Sequence, residues 1–221
     1  MKKLYLLFVF MVVAASCDKP IEYNQTLGLL SEYNILKAAG GSTDVAVFSN
    51  TSWTVRPLSP ASWASIDRLS GEGSGRVIFD FEQNFGRSRR VVLEFRAADK
   101  TMTLNMYQEA AIADEDVEMT LGTSEYEASM AGEQKSFSFQ TNLIYDLERI
   151  SLDVVYDGRA GQKDWIRLSE VTATSVTLNV DANKTGAARA ANVRLAHSDE
   201  GEYNSTAPNI LYSNIIKITQ P

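Results

Sequence analysis

The sequence predicts an all-β protein built from two tandem antiparallel β-sandwiches. Apolar and polar residues alternate over short runs, as in Val77, Phe79 and Phe81, and Gly, Asn, Ser and Pro clusters separate the runs. Such runs recur roughly every ten residues, a spacing typical of sandwich strands. The second observation is an internal repeat, because the two halves carry the same motifs in the same order.

The repeat spans about 90 residues and predicts one sandwich in each half of the chain. Thr26-Leu27-Gly28 recurs as Thr120-Leu121-Gly122. Further matched pairs, first half before second, are Asn50 and Asn142, Trp53 and Tyr145, Trp63 and Trp165, Asn84 and Asn183, Gly86 and Gly186, Arg89 and Arg189, and Gln108 and Gln220.

The predicted organisation follows from the repeat and from the polar segments beside it. Residues 26–110 form the first sandwich and residues 117–221 the second, with the acidic segment 111–116 as linker. Residues 17–25 are polar, contain Pro20, and are expected to form a short tether.

The N-terminus carries a targeting signal. Lys2 and Lys3 precede an unbroken apolar stretch from Leu4 to Ala15, which is typical of a secretory signal peptide over residues 1–16. A membrane span needs about twenty apolar residues, so the stretch is too short for one. The ending Ala14-Ala15-Ser16-Cys17 resembles a bacterial lipobox, although Ala14 stands where Leu is usual.

That resemblance implies that Cys17 carries acyl chains and becomes the first residue of the mature protein. Several acyl chains hold a protein stably on a bilayer. The expected location is the outer membrane, with the cell surface favoured and the periplasmic face left open. A secreted protein with an unpaired cysteine is the alternative.

Composition limits the function classes. The 221 residues contain 21 Lys plus Arg against 28 Asp plus Glu, a net charge of -7 that argues against a nucleic-acid partner. One His and one Cys leave little material for a His-based catalytic triad or a soft-metal site. The sequence therefore predicts no catalytic residue, no metal site and no cofactor.

Several segments of the first half resemble the BACON domain (Bacteroidetes-associated carbohydrate-binding often N-terminal). The segments are Ser49-Asn50-Thr51-Ser52-Trp53-Thr54-Val55, Ser62-Trp63-Ala64-Ser65-Ile66, Gly71-Glu72-Gly73-Ser74-Gly75, Asn84 before Arg87 to Arg90, and Met106-Tyr107-Gln108. The second half looks like a divergent copy. This resemblance implies immunoglobulin-like β-sandwiches. It also implies a role in binding glycans or mucin, or in spacing other modules from the membrane.

Aromatic residues divide into predicted core and predicted surface. Trp53, Trp63 and Trp165 share the inward phase or recur at matched positions, so they are expected to be core anchors. Phe48 and Tyr107 are out of phase with their apolar neighbours and are candidate glycan contacts. The basic cluster Arg87, Arg89 and Arg90 is expected to lie on a solvated surface.

The second half also contains two insertions, and long loops on a rigid sandwich often carry function. Leu195 to Ile216 spans 21 residues where the first half has 9, and Tyr145 to Trp165 spans 20 where it has 10. The later insertion holds the ligand-binding candidates His197, Tyr203, Asn204 and Tyr212, with His197 expected in a loop. Drift in tolerant loops is the alternative interpretation.

Two functional hypotheses follow. The first is a non-catalytic cell-envelope lipoprotein that binds a glycan or mucin and is held in the membrane by lipid on Cys17. The second is a structural spacer, or an adhesion or pilus-type subunit that contacts a protein partner.

Overall fold

The computed structural model describes residues 24–158, 163–201 and 207–221. Regular structure in this part of the chain is β-strand, apart from short 3₁₀ turns at Asp114–Asp116 and Leu147–Arg149. The predicted all-β class is confirmed. No helix among the described residues is long and apolar enough to cross a membrane.

The first sandwich consists of two facing sheets. Its strands are β1 (Leu27–Ser31), β2 (Ile35–Leu36), β3 (Gly41–Ser49), β4 (Ser52–Pro57), β5 (Ala64–Ile66), β6 (Ser70–Glu72), β7 (Gly75–Phe81), β8 (Arg89–Ala97) and β9 (Lys100–Gln108). One sheet has the order β1-β3-β7-β5 and the other β2-β9-β8-β4-β6. The first four-strand order and the β9-β8-β4 core of the second reproduce the two sheets of an immunoglobulin domain.

The second sandwich repeats this arrangement. Its strands are β10 (Met119–Leu121), β11 (Glu125–Glu127), β12 (Glu133–Thr141), β13 (Ile150–Asp157), β14 (Ile166–Val171), β15 (Ser175–Val180), β16 (Arg189–Ser198), β17 (Ile210–Tyr212) and β18 (Ile216–Gln220). The sheets have the orders β10-β12-β15-β14 and β11-β18-β16-β13, and β17 pairs with β16. In both copies a short second strand runs parallel to the closing strand.

Each sandwich has its own apolar core, because inward residues alternate along every long strand. Trp53, Phe79 and Phe95 belong to the first core. Trp165 and Leu178 belong to the second. Two separate cores with the same strand order confirm the prediction of two tandem sandwiches.

The strand register corrects two predicted matches between the copies. Leu27 pairs with Ser49 and Met119 with Thr141, directly before the matched Asn50 and Asn142, so the predicted match of Thr26-Leu27-Gly28 with Thr120-Leu121-Gly122 is displaced by two residues.

The second correction concerns Trp53. Trp53 on β4 pairs with Ala97, and Ile150 on β13 pairs with His197 at the equivalent position of β16. Ile150 therefore occupies the place of Trp53, and the predicted match of Trp53 with Tyr145 is wrong. Five extra residues between Asn142 and Ile150 move Tyr145 out of the sandwich to an exposed position.

Other matched residues make the same contacts in both copies. The side-chain carbonyl of Asn50 accepts a hydrogen bond from the N–H of Thr26, and that of Asn142 accepts one from Glu118. Asn84 and Asn183 each donate from the side-chain amide to the loop before β8 or β16 and to the residue that follows β9 or β18. These asparagines tie loops to strand ends, so their recurrence reflects the fold.

Candidate functional site at the junction between the sandwiches

The structure places three of the predicted ligand-binding residues at the junction of the two sandwiches. Tyr107 ends the first sandwich, while His197 and Tyr212 belong to the adjoining end of the second. Phe48 is 51% exposed on β3, seven residues along that strand from the end nearest the junction. Tyr203, Asn204 and Cys17 lie outside the described residues.

His197 differs from its prediction, because it lies within β16 and not in a loop. Its side chain has 0% exposure. Nδ1 lies 3.2 Å from Nη1 of Arg87, and Nε2 lies 3.1 Å from Oδ2 of Asp146. A guanidinium can only donate, so Nδ1 accepts and Nε2 carries the proton that is donated to Asp146. His197 thus connects Arg87 of the first sandwich with Asp146 of the second and has no surface for a ligand.

Arg87 lies at the centre of this junction. The prediction that its side chain lies on a solvated surface is wrong. Arg87 belongs to the first sandwich but is completely buried. Its Nη2 lies 2.8 Å from Asp114 of the linker and 3.1 Å from Asp199 of the second sandwich. Its Nη1 donates to the carbonyls of His197 and Asn209 at 3.0 and 3.3 Å. A buried charge needs such pairing because desolvation is costly.

The two insertions of the second sandwich supply many of these partners. From the later insertion, Asp199 accepts a hydrogen bond from Ser88 at 3.1 Å, and the carbonyl of Glu200 accepts one from Arg90 at 2.6 Å. From the earlier insertion, Arg149 donates to the carbonyl of Ser88 at 3.2 Å. The described parts of both insertions therefore hold the two sandwiches together.

An aromatic pair also crosses the junction beside these polar contacts. The rings of Phe85 and Tyr145 lie 4.9 Å apart between centroids, and the two residues stay 47% and 65% exposed. The small Gly86 accommodates the second sandwich closely, since a Cβ there would lie 3.0 Å from Asp146 Oδ2. Sequence reasoning missed this contact, because it depends on a second domain that no single-repeat pattern reveals.

One open hollow, which we call the edge groove, is formed by the segment 114–120 together with residues of β12 and β17. It has a volume of about 510 Å³ and is lined by Asp114, Val117, Glu118, Met119, Thr120, Gln140, Leu211 and Tyr212. Tyr212 is 43% exposed, and Arg194 lies over its ring at 3.6 Å from the centroid. Thr120 and Gln140 are cross-strand neighbours with exposed side chains. The groove thus combines an aromatic ring with hydroxyl, amide and carboxylate groups.

A second hollow, the junction groove, lies between the two sandwiches. It has a volume of about 460 Å³ and is lined by Ser88, Tyr107, Ala110, Asp114, Glu115, Asp199, Gly201, Ala207 and Asn209. Tyr107 is half-buried and has Arg90 at 5.8 Å from its ring centroid. Asp114 lines both grooves.

The three tryptophans lie away from both grooves. Trp53 and Trp165 are each 2% exposed. Trp63 is half-buried and packs against the first core. Trp63 and Trp165 also have the guanidiniums of Arg89 and Arg189 over their rings, at 4.5 and 4.3 Å. Burial lowers the pKa of both arginines from its ordinary value, since desolvation disfavours the charged form.

No group of three or more metal-ligating side chains occurs among residues 24–158, 163–201 and 207–221. His197 has no neighbouring nucleophile in the contacts described, and its ring is engaged by Arg87 and Asp146. The arrangement at the junction is suited to holding a ligand by stacking and hydrogen bonding.

Comparison with protein families gives one match. Residues 155–220 match the family model described as "BACON: Putative binding domain, N-terminal". The BACON match lies entirely within the second sandwich, from the end of β13 to the end of β18. The resemblance of residues 49–108 to the same family stays a prediction. No curated protein matches the chain.

Among solved structures, the chain is similar to a Bacteroides ovatus GH5 xyloglucanase in complex with a XXXG heptasaccharide. The identity is 22% and the TM-score 0.34, over 41% of this chain and only 21% of that one. The D0-D1 domain of intimin has 10% identity and a TM-score of 0.30, over 88% and 98% of the two chains. Human protocadherin-24 EC1-2 has 11% identity and a TM-score of 0.33, over 89% and 97%.

Proposed function

We propose that the protein is a non-catalytic cell-envelope lipoprotein that binds a glycan at the edge groove. The observation that carries the proposal is Tyr212, which presents an exposed ring beside the side chains of Thr120, Gln140 and Glu118. Sugar rings stack on aromatic faces, and their hydroxyls bind amide, hydroxyl and carboxylate groups. The BACON match, which describes a binding domain, includes Tyr212.

The groove has the size and rigidity that such a site needs. Its volume of about 510 Å³ lies within the usual range of roughly 300–1,000 Å³ for ligand sites. Arg194 fixes the Tyr212 ring from one side and is itself held by Asp153 at 2.7 Å. A side chain fixed before binding loses little conformational entropy when the ligand arrives.

The test is the affinity of the soluble fragment, residues 18–221, for a panel of immobilised polysaccharides and mucin. Tyr212→Ala is expected to weaken retention about tenfold, equal to ~1.4 kcal/mol, because the stacking surface is lost. Tyr33→Ala is the matched control, since Tyr33 is an exposed tyrosine of the first sandwich outside both grooves. Absence of retention on every polymer would reject the proposal.

The membrane part of the proposal rests on Cys17 and the apolar stretch before it. Cys17→Ala removes the acylation site and is expected to move the protein from the membrane fraction to the soluble fraction. Protease treatment of whole cells then separates the two orientations, since a surface protein is cleaved and a periplasmic one is protected. Continued sedimentation of the Cys17→Ala protein with membranes would contradict the lipid anchor.

A rigid spacer or protein-binding adhesion subunit is the second candidate, and the buried Arg87 cluster favours it. Two sandwiches that are locked by charge pairs and hydrogen bonds can hold a partner at a fixed distance from the membrane. This function does not need the edge groove. Unchanged partner capture by the Tyr212→Ala protein, without retention on glycans, would support it over the first candidate.

A further inference from the structure

We infer that the ligand is an uncharged glycan chain that lies across both grooves and contacts both sandwiches. The inference rests on the proposed glycan binding and adds the class of glycan and its extent. Two features carry it: the charge of the groove walls, and Asp114, which lines both grooves.

The charged side chains among the described lining residues of both grooves are carboxylates. Asp114, Glu115, Glu118 and Asp199 line them, and no Lys or Arg side chain is among the lining residues that the structure describes. Arg87 neutralises only part of this charge, because its single guanidinium is shared by Asp114 and Asp199.

Two other cations lie near the tyrosines, and neither reverses the sign. Arg194 beside Tyr212 is paired with Asp153. Arg90 near Tyr107 donates to a neutral backbone carbonyl and keeps its charge, but Arg87 and Arg90 together bring two positive charges against the three carboxylates that line the junction groove. Sulfated, sialylated or uronic-acid polymers would therefore place their anions against Glu115 and Glu118, both of which are exposed. Like charges in contact oppose binding, whereas neutral sugar hydroxyls can donate to these carboxylates.

The extent of the ligand follows from the two tyrosines. Tyr212 borders the edge groove and Tyr107 the junction groove, and Asp114 lies between them as a wall of both. The buried guanidinium of Arg87 lies 2.8 Å from the Asp114 carboxylate and holds this shared wall of the two grooves in place. A chain of sugar units that passes Asp114 would contact both tyrosine rings.

The experiment measures binding by calorimetry and affinity electrophoresis at low ionic strength. Galactomannan and mixed-linkage β-glucan serve as neutral probes, and polygalacturonate and chondroitin sulfate as anionic ones. We expect retention on a neutral polymer only. Tyr107→Ala should weaken binding of the polymer about tenfold and leave binding of its disaccharide at the edge groove unchanged.

Charge variants provide the second arm. The double variant Glu115→Gln, Glu118→Gln should raise the affinity for the anionic probes roughly two- to fivefold, the range of exposed charge pairs. Glu32→Gln with Glu72→Gln is the control, because both carboxylates are exposed and lie outside the grooves.

The outcomes separate this inference from the proposed function. Retention on no polymer rejects both. Equal or stronger retention on the anionic probes, still lost with Tyr212→Ala, keeps glycan binding and overturns the neutral class. Binding of the polymer that is insensitive to Tyr107→Ala overturns the extent across both sandwiches.

Discussion

At one end of each sandwich, an arginine lies over a tryptophan and binds the glutamine that ends the closing strand. Arg189 lies 4.3 Å from the Trp165 ring centroid, and its Nε donates to Gln220 at 2.7 Å. Its Nη2 donates to the carbonyl of Asp181 at 2.8 Å. Arg89 makes the same three kinds of contact in the first sandwich. The planar guanidinium satisfies all of them at once.

Arg189→Lys should destabilise the second sandwich by about 2 kcal/mol, because an ammonium cannot stack flat and reach both oxygens. The free energy of unfolding in urea measures the change. Arg76→Lys is the control, since Arg76 is exposed and its partner in the described part of the chain is Asp44, in a surface ion pair, so its effect should stay within about 0.5 kcal/mol. Equal effects of the two substitutions would show that the buried geometry contributes nothing special.

At the scale of elements, the turns before β12 and β16 each contain a glycine with positive φ. The two glycines have the same backbone conformation but different surroundings. Gly132, before β12, has a φ of 76°, and a Cβ there would lie 2.6 Å from the backbone N of Ala182. Gly186, before β16, has a φ of 73°, and a Cβ there would meet nothing within 4 Å.

Both Gly→Ala substitutions therefore incur the left-handed backbone strain of ~1–2 kcal/mol, but only Gly132→Ala adds a clash with backbone. We expect Gly132→Ala to lower the free energy of unfolding by roughly 1–3 kcal/mol more than Gly186→Ala does. Thermal and urea unfolding of the two proteins, side by side, measure this difference. Similar losses would mean that the turn at Gly132 relaxes to admit the methyl group.

Strand content was predictable because burial on one face imposes period two, as Val77 and Phe79 illustrate on β7. The repeat was also readable, since Arg89 and Arg189 are needed by the fold itself. The predicted match of Tyr145 with Trp53 was wrong, because two aromatic residues at a similar spacing need not occupy equivalent positions in the paired strands. Only the pairing of Ile150 with His197 shows where β13 begins.

The candidate site was only partly predictable. Tyr107 was predicted because it is out of phase with its apolar neighbours, and Tyr212 because it lies in the longer loop of the second half. Both line grooves at the junction. Arg87 was not found, because its burial requires contacts from Asp199 and His197, more than 100 residues away in sequence. Charge alone predicts solvent exposure, and the pattern of one repeat carries no information about the surface that the other repeat covers.

At the scale of the whole molecule, the second copy differs from the first mainly where it contacts the first. The segment between Asn142 and Ile150, which is five residues longer than in the first copy, brings Tyr145, Asp146 and Arg149 to the first sandwich, and the later insertion brings Asp199 and Glu200. Residues that a lone sandwich would not need thus set the orientation of the pair. Both proposed functions require that orientation, one to join two grooves and the other to keep a fixed length.

Arg87→Met tests this role, because it removes the positive charge that pairs with both Asp114 and Asp199. The buried carboxylate of Asp199 then loses its cationic partner. Removal of one partner of a buried pair typically costs about 3–5 kcal/mol. Here the loss weakens the contact between the sandwiches and leaves both cores intact. We expect two separate calorimetric transitions and a broader distance distribution in small-angle X-ray scattering. Arg56→Met is the control, since Arg56 is an exposed arginine of the first sandwich paired with Glu94. A single transition and unchanged scattering from the Arg87→Met protein would mean that the remaining contacts, among them Phe85 with Tyr145, Arg90 with Glu200 and Arg149 with Ser88, suffice to fix the domains.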